Sequence, residues 1–262
     1  MTRCIAHLSD LHFGAEDPAV VAALAADLSS HPPDLVAVSG DLTQGARHRE
    51  FRAAMSFLRS LPAPLLAVPG NHDMTPYDVI ERFTDPYGRW RRHVAEATEP
   101  VWRDAEVAVV GLNTARRGGF YLNWARGGVS RSRLARAEAR LAALPAGLFR
   151  VVVAHHPFIA PALAPAARLA GNATPALAAF ARHQVGLVLT GHLHLGDVRP
   201  MAAGGMLLVQ AATATSTRLR GTPNAYHRIT IAAGRASVTT RVWDGAAWAD
   251  APAPVVAALS EA

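Results

Sequence analysis

Side chains able to bind a metal recur at five places in this chain. They are "SDLH" with Asp10 and His12, "SGDLTQ" with Asp41, "PGNHD" with Asn71, His72 and Asp73, "AHHP" with His155 and His156, and "TGHLH" with His192 and His194. Each group stands at the end of a short apolar run. Residues two apart in extended backbone point the same way, so His192 and His194 are expected to face one point while Leu193 turns inward, and Asp10 and His12 pair in the same manner. Imidazoles, an amide and carboxylates converging from separate segments suit two metal ions about 3.5 to 4 Å apart. Such a pair clamps a phosphoryl group and lowers the pKa of a water between the ions. A short carboxylate is needed as the bridge, and Asp41 is the acid that follows its strand. A donor set of nitrogen and oxygen favours manganese, iron or zinc over magnesium, which keeps more of its waters. The single cysteine, Cys4, excludes both a thiolate-rich site and an internal disulfide framework.

The elements that must position these residues are legible as alternating patterns. "CIAHLSD" precedes the helical "PAVVAALAADLSS", "DLVAVSGD" precedes "REFRAAMSFLRSL", and "PLLAVPGNHD" closes a third unit. "VAVVGLNT", "SRSRLARAEARLAAL", "RVVVAHHP", "ATPALAAFARHQ" and "GLVLTGHLH" continue the alternation. Uninterrupted apolar strands separated by amphipathic helices predict an α/β class with a largely parallel sheet covered on both faces. Ligands of such sheets bind beyond the carboxyl ends of the strands, where the five groups stand. After about residue 204 come "GMLLVQAATAT", "AYHRITIAAG" and "ASVTTRVWDG" with no helix between them, which predicts added antiparallel strands. The expected organisation is one domain over 1–262, with a catalytic core at 1–204 and a β extension at 205–250, and the tail "APAPVVAALSEA" docked or frayed.

Taken in order, D-x-H, G-D, G-N-H-D, H and G-H-x-H resemble the calcineurin-like metallophosphoesterase superfamily over residues 5 to about 200. Within it the chain is most similar to class III cyclic nucleotide phosphodiesterases and the glycerophosphodiesterase type. The resemblance implies a layered α/β/β/α sandwich with mixed sheets and added C-terminal antiparallel strands. It implies two divalent or mixed-valence metal ions (Mn, Fe or Zn): Asp10, His12 and His194 would hold the first, Asn71, His155 and His192 the second, and Asp41 would bridge both. Of the two histidines in "AHHP" it selects His155. His72 would face the phosphoryl oxygens, stabilising the transition state and assisting the leaving group. Asp73 would orient His72 or cap the following segment. The implied activity is hydrolysis of small phosphodiesters, with phosphomonoesters, pyrophosphate-type substrates or a metal-binding scaffold without turnover as alternatives.

Composition bounds the partners. Half of the residues are hydrophobic, the formal net charge is +6, and all 26 basic residues other than histidine are arginine. Anionic partners are favoured. Nucleic acid is not expected, because the densest basic run, "YGRWRRH", is short and followed by acids. No segment reaches the roughly 20 uninterrupted apolar residues of a membrane span. The N-terminus has no basic stretch and long apolar core of a leader, so a cytoplasmic location is expected; a homodimer is compatible with the chain. For substrate contacts the sequence offers Asn113 at a strand exit, also readable as a turn residue with a local hydrogen bond. It also offers Tyr121 and Trp124 in the arginine- and glycine-rich loop at 114–128, whose aromatics either stack on a substrate or pack a lid. Arg218 and Arg220 in "TSTRLRG" are read as sharing a strand face that reaches an anion or lines an edge.

Overall fold

The computed structural model describes residues 1–118, 125–201 and 205–251, and the backbone of 255–258. The first half runs β1 (Arg3–Leu8), α1 (Pro18–Ser30), β2 (Leu35–Val38), α2 (His48–Ser60), β3 (Leu65–Ala67), α3 (Val79–Thr84), α4 (Gly88–His93), β4 (Val101–Arg103) and β5 (Val107–Gly111). Then follow α5 (Arg131–Ala142), β6 (Phe149–Val153), α6 (Ala173–Arg182), β7 (Val185–Thr190), β8 (Asp197–Pro200) and β9 (Leu207–Gln210). The chain closes with β10 (Ala225–Ala232), β11 (Arg235–Trp243), β12 (Trp248–Asp250) and β13 (Val255–Ala258).

These strands form two mixed sheets rather than the one expected from the alternation. The first has the order β12-β11-β10-β1-β2-β3, with β13 also on β11, and the second has the order β4-β5-β6-β7-β9-β8. β1, β2 and β3 are parallel, as are β5, β6, β7 and β9. Alternate residues divide the strands between layers. Ala6, Leu8, Val36 and Val38 pack outward against α1 and α2, while Ile5, Leu35, Ala37 and Leu66 meet Val109, Val151, Leu187 and Val209 between the sheets. On the far side Val110, Val152 and Val188 pack with Ala137, Leu141, Ala176 and Phe180 of α5 and α6. The layers are therefore α/β/β/α. Both faces of each central strand are buried, which is why these strands read as unbroken apolar runs. That pattern does not distinguish a covering helix from a covering sheet.

Local signals set the helices. Asp17 caps α1, its carboxylate accepting from the Ala19 amide at 2.9 Å, and Pro18 opens the helix with a fixed φ. α2 buries Phe51, Ala54, Met55 and Leu58 along one stripe, and Glu50 accepts from the Gly45 and Arg47 amides. No described helix is long and apolar enough to cross a membrane.

One expectation is corrected in detail. "GMLLVQ" is not an added antiparallel strand: its strand, β9, lies parallel to β7, with Leu187 opposite Leu207 and Thr190 opposite Gln210. Four consecutive buried positions mark an interior strand, which lies between β7 and the antiparallel β8, and the short crossover through β8 supplies the turn that no helix provides. β10, β11 and β12 are antiparallel additions, as expected, and β10 pairs directly with β1. The backbone of the tail docks on β11 as β13.

Candidate metal centre

The carboxyl ends of β1, β2, β3, β6 and β7 gather the five groups at one edge of the sandwich. The first sheet supplies Asp10, His12, Asp41, Asn71 and His72, and the second supplies His155, His192 and His194. The alignment does not come from extended backbone. Asp10, His12, Asp41, His192 and His194 all have left-handed φ, from 48° at His12 to 77° at His192. That conformation costs a non-glycine residue about 1–2 kcal/mol, so five such residues require tight external bonding. Thr213 Oγ1 donates to the Asp10 carbonyl at 2.6 Å, the Ala214 amide to the Ser9 carbonyl at 3.0 Å, and Thr215 Oγ1 to the Leu11 carbonyl at 2.8 Å. The His192 amide in turn donates to Asp10 Oδ2 at 2.9 Å.

Two motif glycines allow these turns to approach one another. A Cβ at Gly191 would lie 1.8 Å from Ser9 Oγ, and one at Gly70 would lie 2.0 Å from Asp41 Oδ1. Neither loop can accept a side chain there without moving the Asp10 or Asp41 carboxylate.

Two donor sets result, with Asp41 between them. In the first, His194 Nε2 lies 3.2 Å from Asp10 Oδ1 and 3.0 Å from His12 Nε2. In the second, His155 Nε2 lies 3.2 Å from Asn71 Oδ1 and 3.3 Å from His192 Nδ1. Asp41 Oδ2 is 3.3 Å from His155 Nε2 and 3.8 Å from His12 Nε2. His192 and His194 thus turn to different sets, not to one point. Gly191 and the left-handed turns at both histidines separate them.

The donor atoms are oriented for a cation. His194 Nδ1 is spent on the Arg218 carbonyl and His155 Nδ1 on the Ser39 carbonyl, both at 2.8 Å, which leaves each Nε2 facing inward. Asp10 Oδ1 is buried with no hydrogen-bond partner among the described residues. An orphaned carboxylate oxygen facing imidazole nitrogens is costly without a positive charge between them. The residues present therefore fit a pair of metal ions.

Electrostatics agree. Burial opposes charge on Asp10 and Asp41, but the surrounding histidines hold both carboxyls below the usual carboxylate range. Burial also favours a neutral His155, yet the Asp41 carboxylate pushes its pKa up to about 9. In the metal-free chain a proton thus occupies the nitrogen that a metal would take. Burial and the neighbouring His155 lower His192 to about 4, leaving it a neutral donor.

Around the sets, His72 Nδ1 donates to the Gln44 carbonyl at 2.6 Å, and its ring stands edge-on to His12 with centroids 4.8 Å apart. Its amide donates to Asp41 Oδ1 at 2.8 Å. Asp73 laces the Asp41 and Asn71 loops together, accepting from the Gly70, Leu42 and Thr43 amides. Burial, with Asp41 nearby, raises its pKa to about 7. His156 spends Nδ1 on Thr114 Oγ1 and Nε2 on the Ala125 carbonyl. Asn113 is buried in a turn, its Oδ1 accepting from the Ala115 amide. Tyr121 and Trp124 lie outside the described residues. Sequence reasoning missed the threonine segment at 213–215, which no spacing rule marks. It noticed Arg218 but placed it on a strand; the segment is a loop, and Arg218 Nη1 reaches Gln44 Oε1 at 3.1 Å and His72 Nε2 at 3.4 Å.

Comparison with known proteins agrees with this geometry. Residues 5–196 match the family model described as calcineurin-like phosphoesterase. A glycerophosphodiester phosphodiesterase, GpdQ, of Enterobacter lignolyticus is 39% identical over 80 residues, which is 26% of this chain and 29% of that protein. A probable cyclic nucleotide phosphodiesterase of a Synechococcus species is 31% identical over 98 residues, 34% of this chain and 36% of that protein. The matches therefore span about a third of these relatives' lengths. Among solved structures, a dimetal phosphatase from Danio rerio superposes with a TM-score of 0.70 at 13% identity, covering 98% of this chain and 99% of that one. The purple acid phosphatase PPD1 from yellow lupin gives 0.71 at 12% identity, covering 95% and 53%. These two likenesses establish the fold.

Proposed function

We infer, from the premise that this chain belongs to the calcineurin-like phosphoesterase family, that it is a dinuclear metal-dependent phosphodiesterase acting on small phosphodiesters. The observation that carries the reading is Asp41, whose Oδ2 stands within 3.8 Å of a histidine nitrogen from each donor set. Asp10, His12 and His194 would hold one ion, Asn71, His155 and His192 would hold the other, and Asp41 would be shared between them. The ions are divalent or mixed-valence manganese, iron or zinc, in keeping with a set of imidazole, carboxylate and amide donors. When bound, such a pair polarises the phosphoryl oxygens and activates a water for in-line displacement.

The chain's own residues do the remainder. Asp41 fixes the spacing of the two sets and, through Oδ1, the position of the His72 backbone. With Nδ1 donating to the Gln44 carbonyl, the His72 ring in its protonated form would present Nε2–H to the phosphoryl oxygens, stabilise charge developing there and give that proton to the departing alkoxide. A diester rather than a monoester is supported by the names of the two curated relatives, a glycerophosphodiester and a cyclic nucleotide phosphodiesterase.

Metal analysis combined with paired kinetics tests the reading. Two ions per chain and a higher kcat/KM for bis(p-nitrophenyl) phosphate than for p-nitrophenyl phosphate are expected, with measurable hydrolysis of a cyclic nucleotide. A tenfold preference for the monoester overturns the diesterase assignment. Two bound ions without turnover of either substrate would indicate a binding scaffold.

A further inference from the structure

Beside the second donor set lies a cavity of about 420 Å³ whose wall includes His192, His156, Arg116, Arg126 and Arg168. It adjoins a second cavity of about 570 Å³ that Arg116 also lines, together with Arg117, Arg133 and Tyr87. Arg116, Arg126 and Arg168 thus border the hollow beside His192, Arg116 is shared with the neighbouring cavity, and no carboxylate is among the described residues that line either. Among the described residues neither Arg116 nor Arg168 is paired with an acid, whereas elsewhere on the surface Arg89, Arg136, Arg182 and Arg241 are. Gathered guanidinium groups repel one another, and their planar forks match phosphate oxygens two at a time. A single diester phosphate held by two metals does not use them.

We propose that this hollow receives a second phosphate, carried on the organic arm of the substrate. The preferred substrates are then small phosphodiesters bearing an additional phosphomonoester. The inference rests on the phosphodiesterase reading and narrows its substrate class. Phosphorus at the donor sets and the arm laid past His192 bring the second phosphate to Arg116 and Arg168. Both residues are exposed, and circular dichroism of R116A/R168A is expected to match that of the unaltered chain.

Binding decides the proposal separately from turnover. Calorimetric titration of the metal-stripped full chain with thymidine 3′,5′-bisphosphate is expected to show saturable binding at least tenfold tighter than thymidine 5′-monophosphate. That advantage should vanish in R116A/R168A and return in part in R116K/R168K. Equal affinity for the two nucleotides, or an undiminished advantage in R116A/R168A, overturns it. In the metal-loaded protein, thymidine 5′-(p-nitrophenyl phosphate) is compared with its 3′-phosphorylated form. A kcat/KM at least tenfold higher for the latter, lost in R116A/R168A, is expected. If neither compound is cleaved while the binding difference stands, the diesterase reading fails and the second-phosphate site survives; if both are cleaved equally, the reverse holds.

Discussion

Arg218 reaches His72 across 146 residues of sequence, its Nη1 lying 3.4 Å from His72 Nε2, while its own carbonyl accepts from His194 Nδ1. One residue therefore touches His72, proposed to face the phosphate, through its side chain and His194, proposed as a metal ligand, through its backbone. Arg218→Ala removes the side-chain contacts to His72 and to Gln44 Oε1 and leaves the backbone contact to His194 in place. The expected result is a fall of about tenfold in kcat/KM for bis(p-nitrophenyl) phosphate, the scale of one charge-assisted contact, with metal content unchanged. A loss of metal instead would place the role of Arg218 in the His194 loop.

Asp41→Asn replaces the shared carboxylate by a neutral amide, which is a poor bridge between two cations. Metal content is expected to drop from two ions towards one or none, and diesterase activity to disappear, as read by elemental analysis and kinetics on the same sample. Two ions retained with near-normal turnover would remove Asp41 from the bridging position.

His72→Ala is expected to leave both proposed donor sets whole: the ring stands close to His12 and Asp41, but its Nδ1 is spent on the Gln44 carbonyl and its Nε2 is assigned to the phosphate. Metal content is expected to be unaltered and kcat to fall roughly 10²-fold. Metal loss with normal kcat per occupied site would show that His72 is a ligand.

Metal uptake should release a proton. Asp41 raises His155 to about 9 in the metal-free chain, so at pH 7 the ring is protonated and must lose that proton to ligate. Calorimetric titration with Mn²⁺ or Zn²⁺ at pH 7 in buffers of different ionisation enthalpy is expected to report release of about one proton, and apparent affinity should weaken as pH falls. Uptake independent of buffer would mean that His155 is neutral before the metal arrives.

The candidate site was more legible than the backbone that builds it. Residue type and position after a strand marked Asp10, Asp41, Asn71, the two histidines of "AHHP" and His192 as candidates, and the resemblance chose His155 of that pair; they meet at one edge because a parallel sheet delivers its strand ends there whatever the layers beneath. The direction of each side chain was not legible. His192 and His194 diverge because φ is positive at both, a choice enforced by contacts from Asp10 and the threonine segment far along the chain. β9 was misjudged because neither hydrophobic pattern nor propensity states the partner of a strand. The second sheet, which the family resemblance implied, was not legible in the hydrophobic pattern for a related reason: Val109, Val151 and Leu187 look alike in sequence whether helices or strands cover them.

The fastening of the Asp10 turn by Thr213, Ala214 and Thr215, and the pairing of β1 with β10, also fix the order in which the centre is completed during synthesis. The ribosome delivers the N-terminal strand first, yet one edge of β1 stays open until Ala225–Ala232 has emerged. All the histidines of the centre are already made by then, His194 being the last. A nascent chain stalled shortly after residue 194 would hold all the candidate donors with the Asp10 and His12 turn unsecured, so a metal ion captured there is expected to be held firmly only once β10 and the threonine segment have been made.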